Sequence, residues 1–253
     1  MNSLYNHYSA ASQTRAGNTS IRTWNVRVSL GQLVVNLVVM MMVFIMALFL
    51  PAGTSAWTAG WIFFLLMFGF SIAISLWLLR FNPDLLAERL TGIGKPDQKT
   101  WDKVFLAFMG IAFFAWVIVM GLDAVRFRWS HVPRWLQVIG ALLMLGSFYI
   151  FYLTFRENSY LSPAVRIQTE RAQTVVSTGP YLYIRHPLYT GFILYAFGTA
   201  LLLGSWYGLL GSLVLIGMVA WRAVHEERVL REELEGYSTY MKRVRYRFIP
   251  YLW

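Results

Sequence analysis

Read from the N-terminus, the chain alternates long apolar runs with short polar breaks. A polar opening, residues 1–27, is rich in Ser, Asn and Thr and is expected to form a poorly ordered tail. An apolar run then extends from Val28 to Leu50, and three more follow: Trp57–Leu79, Val104–Leu122 and Trp135–Phe155. Each approaches the roughly 20 residues that a helix needs to cross a hydrocarbon core. The first exceeds the ~7–15 residues of a signal-peptide core. Trp57, Trp61, Trp129 and Trp135 fall near run ends, where interfacial aromatic belts form. Gln32 and Asn36 share one face of the first run, which predicts hydrogen bonds to a neighbouring helix. A polar stretch from Arg156 to Arg185 precedes a second apolar region, Leu188 to Val224, broken by Gly204-Ser205-Trp206. That break predicts a helical hairpin whose first arm is short for a full crossing. The charged segment Glu226–Trp253 is expected to lie outside the bilayer.

The pattern shows neither strand alternation nor an internal repeat. It predicts an all-α polytopic membrane helical bundle of about six membrane segments. The expected organisation is the tail 1–27, four transmembrane helices within 28–155, and a C-terminal region 156–253 built around the hairpin 188–224.

Composition agrees with a membrane solvent. Hydrophobic residues make up 57% of the 253 and charged residues 13%, with a mean hydropathy of +0.51; soluble domains carry about 25% charge. The net charge of +10 comes from 22 Lys+Arg against 12 Asp+Glu. Nineteen of those cations fall in the segments that a cytosolic N-terminus would place inside, and only Arg126, Arg128 and Arg134 fall outside. The positive-inside rule then predicts cytosolic termini and two large cytosolic segments. The same distribution makes the partner a membrane with anionic headgroups and not a nucleic acid. With no cysteine, a disulfide framework, a thiolate metal site and a cysteine nucleophile are excluded. No metal site is predicted.

The hairpin carries a topological consequence. Its two ends must meet at the membrane surface, so Arg185-His186-Pro187-Leu188-Tyr189 and Arg222-Ala223-Val224-His225-Glu226-Glu227 become neighbours. Pro187 suits the first helical position, where a missing N–H costs nothing. The positive end of that helix, with Arg185 and His186 beside it, favours an anion such as a carboxylate. The same spacing also fits a capping His186 and an Arg185 that reaches toward headgroups. Arg222 and Glu226 stand four apart, as an ordinary (i, i+4) ion pair would, yet ionisable residues at a membrane boundary are often functional. Tyr181, Tyr183, Tyr189, Tyr237 and Tyr240 crowd the same region; their faces suit an onium cation, or an interfacial belt.

These motifs resemble a known family. The stretch from Ser177 to Gly191 (STGPYLYIRHPLYTG), then Glu226-Glu227-Arg228-Val229-Leu230, then Gly236-Tyr237-Ser238-Thr239-Tyr240 and Pro250, is similar to the isoprenylcysteine carboxyl methyltransferase and phospholipid methyltransferase group. The likeness covers Gln173 to Pro250, and Asn82–Leu90 and Leu161–Ile167 resemble its bacterial members. It differs in having Gln173 where many relatives have His, and Leu234-Glu235-Gly236 where many have a Phe-Gly pair.

The resemblance implies an S-adenosylmethionine-dependent methyltransferase with a lipid or lipidated acceptor. It implies a cofactor pocket lined by Gln173, Thr174, Val175, Val176, Tyr181, His186, Pro187, Leu188 and Tyr189 and closed by Glu226, with Arg222 facing the acceptor. Arg185 joins the cofactor-binding candidates, and Arg222, Glu226 and His186 are the catalytic ones. The chain has no Gly-rich strand-to-helix turn of the soluble methyltransferases, which is consistent with a helical membrane site. A carboxylate acceptor is favoured because it is already ionised and needs no base; an amine stays open. Membrane sterol-type reductases share part of the pattern but typically read His-Pro-Asn-Tyr and Arg-Asp-Glu, where this chain has Leu188 and His225-Glu226-Glu227. A transporter would call for duplicated broken helices, and none is present.

Overall fold

The computed structural model describes residues 29–91 and 93–253; the tail 1–27 lies outside them. Among the described residues every regular element is helical: α1 Leu30–Ala52, α2 Thr58–Phe81, α3 Pro83–Thr91, α4 Thr100–Gly121, α5 Arg134–Glu157, α6 Pro187–Leu203, α7 Trp206–Glu233 and α8 Tyr237–Arg243. A π-helical turn, Leu122–Arg126, prolongs α4. Five helices (α1, α2, α4 with its π turn, α5 and α7) are long and apolar enough to cross a membrane. The chain is a multi-pass integral membrane protein.

Its surface and interior are both apolar, as a lipid solvent requires. Val34, Leu65, Ile111 and Leu142 face outward, while Phe44, Leu48, Phe63, Phe68, Met120, Met144 and Leu215 are packed inside. Phe44 is a hub, with the rings of Phe63, Phe68, Phe113 and Phe114 within 6.5 Å of its own. Gln32 and Asn36 lie on the exposed face of α1, and their side chains make no hydrogen bond among the described residues. The helix partner expected for them is therefore not found.

The short arm α6 is an interior helix. Tyr195, Ala196, Gly198, Thr199, Ala200, Leu202 and Leu203 are all buried, so its 17 residues are packed against protein instead of having to match the bilayer thickness. Glycine makes this possible. A Cβ on Gly140 of α5 would lie 2.4 Å from the Leu202 nitrogen, and one on Gly198 of α6 would lie 2.8 Å from the Gly140 oxygen. The two backbones are in direct contact, the packing that small residues allow in membranes. Gly204, in the left-handed region at φ 80°, ends α6, and Ser205 caps α7 by accepting from the Gly208 N–H at 2.7 Å. Asp123, in the π turn, accepts from Ser130 and Ser205 at 2.6 and 2.5 Å and ties this hairpin tip to the α4–α5 loop.

At the opposite end the chain departs from its apolar pattern. α7 does not stop near Val224 but continues to Glu233, because nothing before Leu234-Glu235-Gly236 breaks a helix; Gly236 has φ 82°. Asn82 ends α2 and caps the short α3, accepting from the Leu85 N–H at 3.2 Å, while its amide donates to Ser159 at 2.8 Å. The strap 158–186, α3, α8 and the C-terminal segment thus gather around the exits of α5 and α7 and the start of α6.

Candidate active site

Between that strap and the helix ends lies a cavity of about 310 Å³, within the size range of ligand pockets. Gln173, Thr174, Val175, Val176, Tyr181, Arg185, His186, Leu188, Tyr189, Arg222 and Glu226 all line it. Pro187 does not; it is buried at the first turn of α6, where it sets the helix start behind His186.

The wall that joins α6 to α7 is a chain of hydrogen bonds. The Tyr189 hydroxyl donates to Glu226 Oε2 at 2.6 Å and accepts from Arg222 Nη1 at 3.0 Å. Arg222 also donates through Nε to Asp102 Oδ1 at 2.9 Å and through Nη2 to the Pro163 carbonyl at 2.7 Å. The (i, i+4) pair expected between Arg222 and Glu226 is therefore replaced: Asp102 of α4 takes the guanidinium and Tyr189 stands between cation and carboxylate. Asp102 is fully buried, and its other oxygen accepts from Gln98 Nε2 at 2.9 Å and the Val165 N–H at 2.8 Å. One carboxylate fixes both Arg222 and the strap above it.

Arg185 and His186 converge on Glu227, not on open space. Arg185 Nε donates to Glu227 Oε1 at 2.6 Å, the His186 Nε2 lies 3.1 Å from the same oxygen, and Arg247 Nε donates to Oε2 at 2.9 Å. Arg185 Nη1 donates to the carbonyls of Val244 and Arg245 at 2.8 and 2.7 Å. Arg185 thus lines the cavity while its Nε and Nη1 hold α7 and the C-terminal segment together. The backbone N–H groups of Arg185 and His186 donate to the carbonyls of Tyr246 and Arg247, both at 2.9 Å, which fixes the turn before α6. His186 then stacks on Tyr189, ring centres 5.3 Å apart.

Five tyrosines line the cavity, but the set differs from the expected one. Tyr160 joins Tyr181, Tyr189, Tyr237 and Tyr240, whereas Tyr183 is exposed. Burial pushes the phenols of Tyr181, Tyr237 and Tyr240 well above their ordinary range, so these groups stay neutral and present aromatic faces. Gln173 lines the cavity, and its Oε1 accepts from the Gln168 N–H at 2.8 Å within the strap.

The strap has its own anchor. Arg166 donates to both oxygens of Glu88, at 3.1 and 2.9 Å, and to Asp97 and Glu170, both at 2.6 Å. Nothing in the local sequence marks Asp102 for this site, whereas Arg89 stands in the Asn82–Leu90 stretch that carries part of the resemblance. The one signal of Asp102 is chemical: it is an ionisable residue at the edge of an apolar run.

Residues 135–235 match the model of the phospholipid methyltransferase family. The matched region is less than half of the chain. It spans α5, the strap, α6 and α7, and so contains most of the cavity wall. Protein-S-isoprenylcysteine O-methyltransferase of Schizosaccharomyces pombe is 34% identical over 104 residues, 40% of this chain and 44% of that protein. The protein of the same description from Xenopus laevis is 30% identical over 120 residues, 44% of this chain and 39% of the other. The chain thus matches less than half the length of these curated relatives.

Proposed function

We propose that this protein is an S-adenosylmethionine-dependent methyltransferase acting on a lipid-linked or membrane-embedded acceptor, with a carboxylate favoured. The observation that carries this reading is the single cavity that collects Gln173–Val176, Tyr181, His186, Tyr189, Arg222 and Glu226 inside a phospholipid methyltransferase region. Its donor set suits the cofactor. Glu226 offers a carboxylate to an ammonium, neutral tyrosine faces suit a sulfonium, and the wall is rich in cations for a carboxylate.

When bound, the cofactor supplies a methyl group already activated by positive sulfur. The protein's contribution is alignment and exclusion of water, which can supply about 7–11 kcal/mol. The strap over the cavity, fixed by Asp102 and Arg166, performs the exclusion. Arg222, held on three sides, orients an anionic acceptor with its remaining donors. A carboxylate gives up no proton on methylation, so no side chain need act as base. The site is proposed to face the cytosol, on the strength of the cation distribution.

Calorimetry with S-adenosylmethionine on purified protein tests the reading, and two variants divide the roles. Glu226→Gln is expected to weaken cofactor binding by 1.5–3 kcal/mol, about 10- to 150-fold. Arg222→Lys keeps the charge but loses the planar fork; turnover of methyl-labelled cofactor on membrane extract should fall at least tenfold, with cofactor affinity within about twofold. A wild-type protein that binds no S-adenosylmethionine would overturn the proposal.

A further inference from the structure

Four arginines line the cavity: Arg89, Arg166, Arg185 and Arg222. Three of them have carboxylate partners. Arg222 pairs with Asp102, Arg185 with Glu227, and Arg166 with Glu88, Asp97 and Glu170. Arg89, on α3, makes no ion pair among the described residues. Its guanidinium carbon lies 4.7 Å from the centre of the Phe155 ring, and Nη1 donates to the Leu161 carbonyl over a long 3.4 Å. These neighbours hold the side chain without neutralising it. Burial, and then the charge of Arg222, lower the pKa of Arg89 to about 10. At neutral pH it still carries its charge, beside a second cation, in a wall whose one acidic member among the described residues is Glu226.

The surroundings of Arg89 are apolar. Leu33, Leu78, Leu85, Leu86 and Phe155 form a buried cluster, and Leu161 and Leu188 pack on it while also lining the cavity. An unneutralised cation therefore borders an apolar surface continuous with the helix bundle. We propose that Arg89 and Arg222 form an anion-holding subsite on the α3 side of the cavity, which takes the carboxylate or phosphate of an amphiphile. That the amphiphile is the methyl acceptor rests on the reading above. The anion would supply the negative charge that Arg89 lacks, and two cations sharing one oxyanion would fix its direction as one could not.

The test uses the intact protein in neutral-detergent micelles, with oleate, oleyl phosphate and oleyl alcohol as probes and tryptophan fluorescence as readout. Oleate or oleyl phosphate should bind wild-type protein at least tenfold more tightly than the alcohol. Arg89→Gln should bring the anionic probes to within about threefold of the alcohol, with S-adenosylmethionine affinity by calorimetry within about twofold of wild type. Arg89→Met, which keeps packing on Phe155, carries the comparison should the Gln variant fail to fold. Displacement of oleate by phosphatidylglycerol but not by phosphatidylcholine would assign the subsite to a resident lipid, and lack of displacement to a single-chain acceptor. Wild-type protein indifferent to headgroup charge, or a preference that survives loss of Arg89, would overturn the subsite. Failure to bind S-adenosylmethionine would instead overturn the methyltransferase reading and leave the subsite standing.

Discussion

Tyr189 decides how charge is arranged in the cavity. Its hydroxyl sits between Glu226 and Arg222, so a cation and a carboxylate one helical turn apart are bridged rather than paired with each other. Tyr189→Phe keeps the ring stacked on His186 and removes only the oxygen. The loss of two hydrogen bonds to charged groups, each worth about 1.5–3 kcal/mol, should lower methyl transfer at least tenfold with helical circular dichroism unchanged. Wild-type turnover would show that the bridge has no part in the reaction. The cavity residues on α6 and α7 were legible in the sequence through the family resemblance; spacing alone left a capping His186 and an Arg222–Glu226 ion pair open. Asp102 was not legible, and Arg89 was marked only as a member of the Asn82–Leu90 stretch. Asp102 is 120 positions from Arg222, and a single carboxylate at the start of an apolar run gives no hint of which cation it will meet. Glu227 was noticed only as the neighbour of Glu226, although three basic side chains converge on it.

Helices and strap set how tightly these residues are held. In α5, Gly140 touches the α6 backbone, whereas a Cβ on Gly146 would meet nothing within 4 Å. Gly140→Ala should therefore cost about 1–3 kcal/mol through forced separation of the helices, while Gly146→Ala on the same helix should be near neutral. Thermal unfolding in detergent compares them, and equal melting temperatures would contradict the close crossing. The strap depends on Glu88. Burial alone would raise its pKa, but hydrogen bonds from Arg166, Lys95 and Ser162 prevail and lower it from 4.5 to about 2. A carboxyl so depressed contributes its full stabilisation above pH 4.5 and loses it as pH falls toward 2. Glu88→Gln should be less stable than wild type by about 3 kcal/mol at pH 7, and the gap should narrow below pH 4.5. A gap independent of pH would contradict the ionised anchor. Most spans were legible from run length, but the enclosure of α6 was not: an apolar run reads the same whether lipid or protein surrounds it. The extension of α7 to Glu233 escaped notice for a related reason, since helix-favouring Glu and Arg residues end the hydropathy signal without ending the helix.

Across the whole molecule, the polar chemistry lies at one end of the bundle and the loops holding Arg126, Arg128 and Arg134 at the other. If α6, the interior and shorter member, crosses with the five candidate spans, the number of crossings is even, and α2, α5 and the hairpin each return the chain to the same side. Orientation then depends on charge. Nineteen cations belong to the tail and the cavity end and three to the far end, so the cavity end should be cytosolic. The absence of native cysteine makes this directly measurable, and the structure dictates where probes can go. Ser130 and Ser205 are unsuitable, being buried and bonded to Asp123. Ser55 and His131 are exposed in far-end loops, and Ser238 is exposed on α8 beside the cavity. In intact cells a membrane-impermeant maleimide should label Ser55→Cys and His131→Cys, and Ser238→Cys should react only after permeabilisation. The reverse pattern would place the cavity on the outer face. It would then separate the site from cytosolic S-adenosylmethionine, so the labelling result bears on the proposed reaction as well as on topology. Labelling of all three sites in intact cells would contradict the even number of crossings itself, because Ser55 and Ser238 must then share a side despite the helices between them.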